Sequence, residues 1–208
     1  MNEKDVKILD KARPFDGYFQ VDRYTVQHKL FDGGWSEPFT REVFERGHAV
    51  VVLLYDPETD DLVFVEQFRI GAYSAHQTQW WEDGTSPWLL ECVAGIIDDG
   101  ETPEDVARRE AKEEAGCAVG ELVPIQRILA SPGGSSETVF AYCGRIDSSQ
   151  AGGIHGLDEE HEDIRVHRVP TGQAFEWLES GRFVHSITVI ALWWFHDKHR
   201  HLRALWRG

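Results

Sequence analysis

GIIDDGETPEDVARREAKEEAGC, residues 95–117, is the stretch with the clearest structural signals in the chain. Thr102 is a favourable N-cap residue, and Pro103 suits the first helical position, where no backbone N–H is needed. Gly116 suits the left-handed position that commonly follows the end of a helix. The stretch therefore predicts a helix over residues 103–115 with a loop on each side.

The predicted helix carries three carboxylates on one face. Glu110, Glu113 and Glu114 have i, i+3, i+4 spacing, so their side chains project together, whereas Lys112 points to a different face. Such a run is most often a solvated acidic face, but converging oxygen ligands also describe a Mg²⁺ site. Helix geometry alone leaves both interpretations open.

The rest of the stretch resembles the signature of the Nudix hydrolases, G-x₅-E-x₇-R-E-U-x-E-E-x-G-U, in which U is an aliphatic residue. Ala111 and Cys117 depart from it only in being smaller than the usual residues at two U positions. The chain is identified as a member of this family because all the fixed positions match: Gly95, Glu101, Arg109, Glu110, Glu113, Glu114 and Gly116.

The resemblance implies a hydrolase that cleaves a pyrophosphate bond with Mg²⁺, or with Mn²⁺ in its place. It assigns direct metal binding to Glu110, Glu114 and the backbone carbonyl of Ala94. In the same comparison Glu113 supports or shares the metals, and Arg109 braces the loop, so both count among the catalytic residues. Metal ions of this kind neutralise a diphosphate and activate water.

Composition fits a soluble enzyme and excludes some kinds of partner. The 208 residues suit one medium domain plus a small extra element. With 36 acidic and 21 basic residues, the net charge of −15 repels nucleic acid and anionic membranes. An anionic small molecule could be held only with metal ions and a few placed arginines.

Cysteine usage and hydropathy indicate a cytoplasmic protein. Cys92, Cys117 and Cys143 are odd in number and include no C-x-x-C pair, so reduced thiols are the simplest interpretation. The polar N-terminus does not resemble a signal peptide. The longest apolar runs, residues 49–55 and 189–195, are seven residues each, too short to span a bilayer.

Hydrophobic patterning along the chain predicts an α+β fold. Residues 5–45 indicate an antiparallel β unit with a turn at residues 32–34, too small to bury its own face. Residues 48–55 are typical of a strand buried on both faces, with 62–68 as its partner. Further strands are expected at residues 88–94, 122–130, 138–146 and 164–169, helices at 173–180 and 187–198, and an exposed loop at 74–87.

Two regions follow from this pattern and from the resemblance. Residues 1–46 are expected to form an N-terminal antiparallel β extension that contributes to dimerisation and substrate contacts. Residues 47–208 are expected to form the Nudix domain, an α/β/α sandwich with a mixed sheet. In the resembling enzymes the N-terminal sheet is exchanged between two subunits, so the resemblance implies a homodimer.

Three further stretches resemble the bacterial ADP-ribose pyrophosphatases and extend the similarity over most of the chain. They lie at residues 44–49, 129–137 and 153–166. Pro132, sixteen residues beyond the signature, marks this subgroup, although Pro followed by two Gly also suits an ordinary turn. The resemblance implies that ADP-ribose is split into AMP and ribose 5-phosphate, with Glu137 near the metals and the terminal ribose.

The acidic segment at residues 158–163 corresponds to a loop that closes over the site in these enzymes. Glu160 matches the position of the general base, and Glu162 matches a residue that contacts metal. A run of acids is more often a solvated loop, and the register within it is easily wrong by one or two. The choice of base among Glu159, Glu160 and Glu162 therefore stays open.

Four more residues are assigned to substrate binding by the resemblance. Arg69 matches an arginine that holds the pyrophosphate, and a guanidinium fork suits phosphate oxygens. A surface arginine paired with a nearby acid is the alternative. Tyr18 matches an aromatic residue that stacks on adenine, with Arg41 and Glu42 nearby in the same extension, although Tyr18 is otherwise an ordinary strand residue.

The connection at residues 74–86 is longer than in the resembling enzymes and contains Trp80-Trp81-Glu82-Asp83. It is expected to be a lid, a dimer contact or an inert loop, and it bears on substrate preference. The alternative substrates are other diphosphates, such as GDP-mannose or NADH. An alternative of a different class is a module that binds ADP-ribose without cleaving it. Such domains usually lose a glutamate or arginine of the signature, whereas this chain keeps all of them.

Overall fold

Residue contacts divide the chain into two compact units. The computed structural model describes residues 1–81 and 86–207. The first unit comprises residues 1–48 together with 129–139, and the second comprises residues 49–128 together with 140–208.

A three-stranded antiparallel sheet in the order β1-β2-β3 forms most of the first unit. Its strands are β1 (Val6–Asp16), β2 (Gln20–His28) and β3 (Phe39–Glu45). Residues 129–139 of the same unit lie beside β3, where the Phe44 N–H donates to the Gly134 carbonyl at 2.8 Å. Every residue of β1 is exposed.

An eight-stranded sheet forms the centre of the second unit, in the order β10-β11-β5-β4-β9-β8, with β6 paired to β5 and β7 paired to β4. Its strands are β4 (Ala49–Asp56), β5 (Asp61–Phe68), β6 (Trp88–Glu91), β7 (Val93–Ile96), β8 (Leu122–Leu129), β9 (Thr138–Arg145), β10 (Ile154–His155) and β11 (Ile164–Pro170). The helices are α1 (Ile70–His76), α2 (Pro103–Ala115), α3 (Thr171–Glu179) and α4 (Ser186–Arg207).

Alternate residues of β4 face different helices, as expected for a strand buried on both faces. Val50, Val52 and Leu54 share a buried cluster with residues of α2. Tyr55 instead contacts Phe195 of α4, with ring centroids 4.8 Å apart. Helices therefore cover both faces of the sheet, and the predicted α+β class and α/β/α layering are confirmed.

Helix α2 begins and ends where the sequence predicts. The Thr102 hydroxyl accepts a hydrogen bond from the Asp105 N–H at 3.2 Å, which satisfies one of the unpaired donors at the helix start. Gly116 ends the helix in the left-handed conformation, with φ 66°. A Cβ there would lie 2.8 Å from Cε1 of His155, so glycine is required for conformation and for space.

Three predicted elements differ from the observed ones. The expected loop at residues 74–87 overlaps helix α1, whose start is fixed by a hydrogen bond of 3.0 Å from the Tyr73 N–H to the Arg69 carbonyl. Glu82 and Asp83 of the insertion lie outside the described residues.

The single strand expected at residues 88–94 is two strands that pair with different neighbours. The break falls at Cys92, whose N–H donates to the Thr188 hydroxyl at 3.0 Å instead of to the sheet. Helix α4 also extends well beyond the predicted residue 198. Among the described residues, no helix is long and apolar enough to cross a membrane.

A polar cluster fixes α4 to the turn between β4 and β5. Asp60 accepts hydrogen bonds from the Tyr55 hydroxyl and from Nη1 of Arg203, each at 2.8 Å. Nε2 of His199 lies 2.6 Å from the same carboxyl group. Asp60 has φ 63°, a left-handed conformation that Asp tolerates better than most residues.

All three cysteines are buried and unpaired, as predicted. Burial raises the pKa of the Cys92 thiol to about 12 and that of the Cys117 thiol to about 11. Burial also raises the pKa of Cys143. These thiols are therefore protonated and unreactive in the folded chain.

Candidate active site

Glu114 lies at the centre of the acidic face of α2. Its side chain is only 2% exposed. The carboxylate accepts hydrogen bonds from the Ala94 N–H at 3.1 Å and from Nε2 of Gln67 at 3.4 Å. Strands β5 and β7 therefore hold this carboxylate in place from the sheet side.

Glu110 packs directly against the backbone of Gly95. A Cβ at position 95 would overlap the Glu110 carboxyl group, so only glycine permits this approach. Burial raises the pKa of Glu110 to about 7, although the charge of Arg109 opposes it. Burial raises the pKa of Glu114 to about 8 against the hydrogen bond from Ala94. The cost of removing these two negative charges from water is thus only partly offset by the protein.

Arg109 holds three carboxylates together. Its Nε and Nη2 donate to Glu101 at 3.0 and 3.1 Å, and its Nη1 donates to Glu110 at 2.8 Å and to Glu113 at 3.1 Å. These carboxylates, Glu101 first, raise the pKa of Arg109. The guanidinium thereby links the loop before α2 to the acidic face, which is the bracing contact that the resemblance implies.

Arg69 is bound to a carboxylate that the sequence did not single out. Its Nε donates to Oε2 of Glu91 at 2.9 Å, and its Nη2 lies 2.8 Å from the same oxygen. Gln67, two residues earlier on β5, donates to Glu114, and alternate residues of a strand share a face, so Arg69 lies on the side of the sheet that faces α2. A lone carboxylate in the apolar run Trp88-Leu89-Leu90-Glu91 was the signal that could have identified Glu91.

The two glutamates of residues 158–163 that the resemblance assigns to catalysis and metal binding, Glu160 and Glu162, have different environments. The Glu162 carboxylate accepts a hydrogen bond from the Leu157 N–H at 3.1 Å, and its negative charge contributes to the raised pKa of Glu110 and of Glu114. Glu160 is exposed in the 3-10 turn at residues 158–160. The structure therefore holds the Glu162 carboxylate by a backbone hydrogen bond, whereas Glu160 is exposed to solvent.

Gly156 sets the position of Glu162. It has φ 102°, and a Cβ there would lie 2.6 Å from the Cβ of Glu162. Sequence reasoning passed over this glycine and Gln67, because each role depends on a neighbour that only the folded chain brings near.

The remaining assigned residues lie in the first unit. Tyr18 is 85% exposed and lines a cavity of about 430 Å³ that also includes Arg13 and Arg46. Nη1 of Arg46 lies 3.0 Å from a carboxylate oxygen of Glu137. Pro132 is exposed in the turn at residues 131–134.

Arg41 and Glu42 are adjacent residues of β3, opposite Tyr24 and Arg23 of β2. Nη1 of Arg41 donates to the Thr40 carbonyl at 2.9 Å, and Glu42 accepts from Nη2 of Arg23 at 2.9 Å. Neither residue lines the cavity beside Tyr18.

The donor groups on α2 fit a hard divalent cation. Glu110, which is half-buried, and Glu114, which is buried, are oxygen ligands whose negative charge such a cation would offset, and Ala94 adjoins them through its hydrogen bond to Glu114. Within residues 1–81 and 86–207, no three His, Cys, Asp or Glu side chains already form a cluster able to hold a metal ion. Because Arg109 contacts Glu110 and Glu113, these side chains would have to rearrange around an ion.

Comparisons with known proteins agree with this geometry. A profile of the NUDIX domain matches residues 45–186. The ADP-ribose pyrophosphatase of Escherichia coli strain K12 is 47% identical over 204 residues, which cover 98% of this chain and 94% of the relative. The ADP-ribose pyrophosphatase of Haemophilus influenzae is 43% identical over 206 residues, which cover 99% and 93%.

A more distant relative and a solved structure extend the comparison. A GDP-mannose pyrophosphatase of Escherichia coli strain SMS-3-5 is 32% identical over 199 residues, which cover 96% of this chain and 98% of the relative. The crystal structure of an ADP compounds hydrolase superposes with a TM-score of 0.69 at 19% identity, over 95% of this chain and 96% of that one. Nudix hydrolases generally need a divalent metal ion. With the signature residues in place on α2 and in the segments beside it, and with a profile match over most of its length, the chain belongs to the Nudix hydrolase family.

Proposed function

We propose that this chain hydrolyses the diphosphate bond of ADP-ribose and releases AMP and ribose 5-phosphate. The observation that carries the proposal is the complete set of signature residues on α2 and in the loops beside it, with Glu110 half-buried against Gly95 and Glu114 buried against Ala94. Its substrate is supported by the identity of 47% to an ADP-ribose pyrophosphatase, against 32% to a GDP-mannose pyrophosphatase.

The proposed cofactor is Mg²⁺, with Mn²⁺ able to replace it. Glu110, Glu114, the Ala94 carbonyl and Glu162 would hold it. When bound, such an ion neutralises charge on the diphosphate and makes a water molecule more acidic.

Side chains of the second unit are proposed to bind the diphosphate, position the metal ligands and accept the proton from water. Arg69 donates N–H groups to the diphosphate oxygens, because a guanidinium fork suits the geometry of phosphate oxygens. Arg109 keeps Glu110 and Glu113 in place. Glu160 accepts a proton from the attacking water as the water oxygen bonds to phosphorus and the bridging P–O bond breaks. Because Glu160 is exposed in its turn, the acidic segment has to move toward the substrate for this step.

The adenosine end of the substrate is proposed to contact the N-terminal extension, residues 1–46. Tyr18 stacks on the adenine ring, while Arg41 and Glu42 contribute polar contacts. Glu137 and Pro132 line the side of the terminal ribose. The proposed assembly is a cytoplasmic homodimer in which the extension is exchanged and residues 47–208 form the catalytic domain.

A substrate panel tests the proposal. Turnover of ADP-ribose, GDP-mannose, NADH and ADP-glucose is measured with Mg²⁺ and with EDTA, for the native chain and for Glu114→Gln. We expect ADP-ribose to be preferred, EDTA to abolish turnover, and Glu114→Gln to lower kcat about a thousandfold. Glu104→Gln is the matched control, because this glutamate lies in the first, exposed turn of the same helix and bonds to the Tyr142 hydroxyl.

Other outcomes would change the conclusion in distinct ways. A preference for another diphosphate would keep the metal-dependent hydrolysis and replace the substrate. No turnover of any compound by folded protein with metal would instead favour a non-catalytic binding module.

A further inference from the structure

Glu91 is a carboxylate in an environment that disfavours one. It ends β6 opposite Val65 of β5, and it is only 2% exposed. A buried carboxylate is costly unless it is paired and hydrogen-bonded. Within the described residues, Arg69 is its one ion-pair partner.

The contact between Glu91 and Arg69 fixes the orientation of the guanidinium. Two of its nitrogens, Nε and Nη2, lie within 2.9 Å of one oxygen of Glu91. The Nη1 nitrogen forms no hydrogen bond to any described residue. One side of the guanidinium is therefore used by Glu91, and other N–H donors of the five remain available to a ligand.

The backbone of Arg69 is fixed as well. Its N–H donates to the Pro87 carbonyl at 2.9 Å, and its carbonyl accepts from the Tyr73 N–H at 3.0 Å. Arg69 is thus held by its main chain and its side chain at the junction of β5 and α1, beside the acidic face of α2. A cation held in this way loses little conformational freedom when it binds an anion.

We propose that Glu91 is a positioning residue, which orients the Arg69 guanidinium toward a diphosphate bound at the α2 carboxylates. The inference rests on the proposed function in one respect, which is that the ligand bound at this site contains a diphosphate. A purely structural role, in which Glu91 joins β5 to β6, predicts a loss of stability without a specific loss of diphosphate binding.

The test measures binding of α,β-methylene-ADP, a diphosphate analogue that is not cleaved at this bond, by calorimetry with Mg²⁺. We expect Glu91→Gln and Arg69→Ala each to raise the Kd about tenfold, and the double variant to raise it no further. Glu66→Gln is the matched control, because Glu66 is another strand carboxylate, ion-paired with Arg165 and in contact with Nε2 of His167. Its Kd should stay within about twofold of the native value.

Arg69→Lys keeps the charge and removes the fork, and it covers the case in which Glu91→Gln does not fold. We expect it to weaken binding as Glu91→Gln does. A native-like Kd in folded Glu91→Gln or in Arg69→Lys would overturn the inference. So would multiplicative effects in the double variant, or the absence of probe binding by the native chain.

Turnover of ADP-ribose by the native chain is followed separately. Its absence, with probe binding that still depends jointly on Glu91 and Arg69, would refute the proposed hydrolysis and leave the positioning role intact. Where turnover is present, Glu91→Gln should raise KM more than it lowers kcat.

Discussion

Two carboxyl groups on α2, one buried and one half-buried, link metal binding to pH. The folded-state pKa values of Glu110 and Glu114, about 7 and about 8, lie above the ordinary value of 4.5. At a pH between 4.5 and these folded-state values, the two carboxyl groups are protonated in the folded protein but ionised in the unfolded chain. The metal-free protein is therefore expected to lose stability as pH rises from about 4.5 to about 8.

Added Mg²⁺ should reverse this loss, because it binds the carboxylates only after their protons leave. We expect Mg²⁺ to raise the thermal midpoint more at pH 8 than at pH 5, with a gain of about 2.7 kcal/mol at a hundredfold excess over Kd. The measurement compares thermal unfolding in EDTA and in Mg²⁺ at both values of pH. Equal shifts at the two values would contradict the prediction.

Gly95 is predicted to be irreplaceable for the same site. In Gly95→Ala the new methyl group overlaps the Glu110 carboxyl and forces that side chain away from its present position. We expect the affinity for Mg²⁺, measured by calorimetry, to fall about tenfold. Gly172→Ala in α3 is the control, since a Cβ there meets nothing within 4 Å; an equal loss in both variants would disprove the steric explanation.

Individual side chains were predictable from sequence only where helix geometry decides their direction. The spacing of Glu110, Glu113 and Glu114 placed them on one face, because residues three and four apart on a helix are neighbours. The roles of Glu91 and Gln67 could not be read in this way, since each depends on which strand pairs beside it. The register within residues 158–163 likewise depends on the turn that binds the Glu162 carboxylate.

At the scale of elements, local signals succeeded where caps or long apolar runs were present. Helix α2 has an N-cap, a proline and a terminal glycine, and its predicted bounds are confirmed. The break between β6 and β7 has no local signal, because it arises where the backbone at Cys92 bonds to Thr188 on α4. Continuous apolar sequence does not reveal that a strand changes partners.

The attachment of α4 to the β4–β5 turn yields a prediction about stability. Burial alone would raise the pKa of Asp60, but hydrogen bonds from His199 and Tyr55 and the nearby positive charges outweigh it and lower that pKa. The ionised carboxylate is therefore favoured by folding, and Asp60→Asn should cost about 2 kcal/mol of unfolding free energy at pH 7. Asn tolerates the left-handed conformation, so backbone strain should not add to the effect.

The pH dependence of that cost identifies the group responsible. A lowered pKa stabilises the fold above the unfolded value of 3.8 and loses this effect as pH falls below it. Chemical denaturation should give a constant difference between native protein and Asp60→Asn from about pH 8 to 5, narrowing only below about pH 4. Narrowing that is already complete above about pH 5 would contradict the assignment to the Asp60 carboxylate. Asp197→Asn on the exposed side of α4 is the control.

For the whole molecule, the exposed strand β1 supports the proposed homodimer. Ile8 and Phe15 are 61% and 57% exposed, and apolar side chains of this size on a strand are usually covered by another surface. We expect light scattering to give twice the chain mass of 23.8 kDa. Ile8→Lys with Phe15→Glu should halve that mass, whereas Glu121→Lys in the second unit should not. A native chain that is monomeric at micromolar concentration would contradict the proposal.

Because all three thiols are buried, thiol reagents should not modify the folded chain and should react only after local unfolding exposes a cysteine. Cys92 adjoins the step from β6 to β7, Cys117 follows α2, and Cys143 lies within β9. A disulfide reagent reacts with a thiolate, so modification must wait until the surrounding segment separates from the sheet. The labelling rate at each cysteine therefore reports how often the segment around it unfolds locally. The rate at Cys117 reports the local unfolding at the end of α2, the helix that carries Glu110 and Glu114.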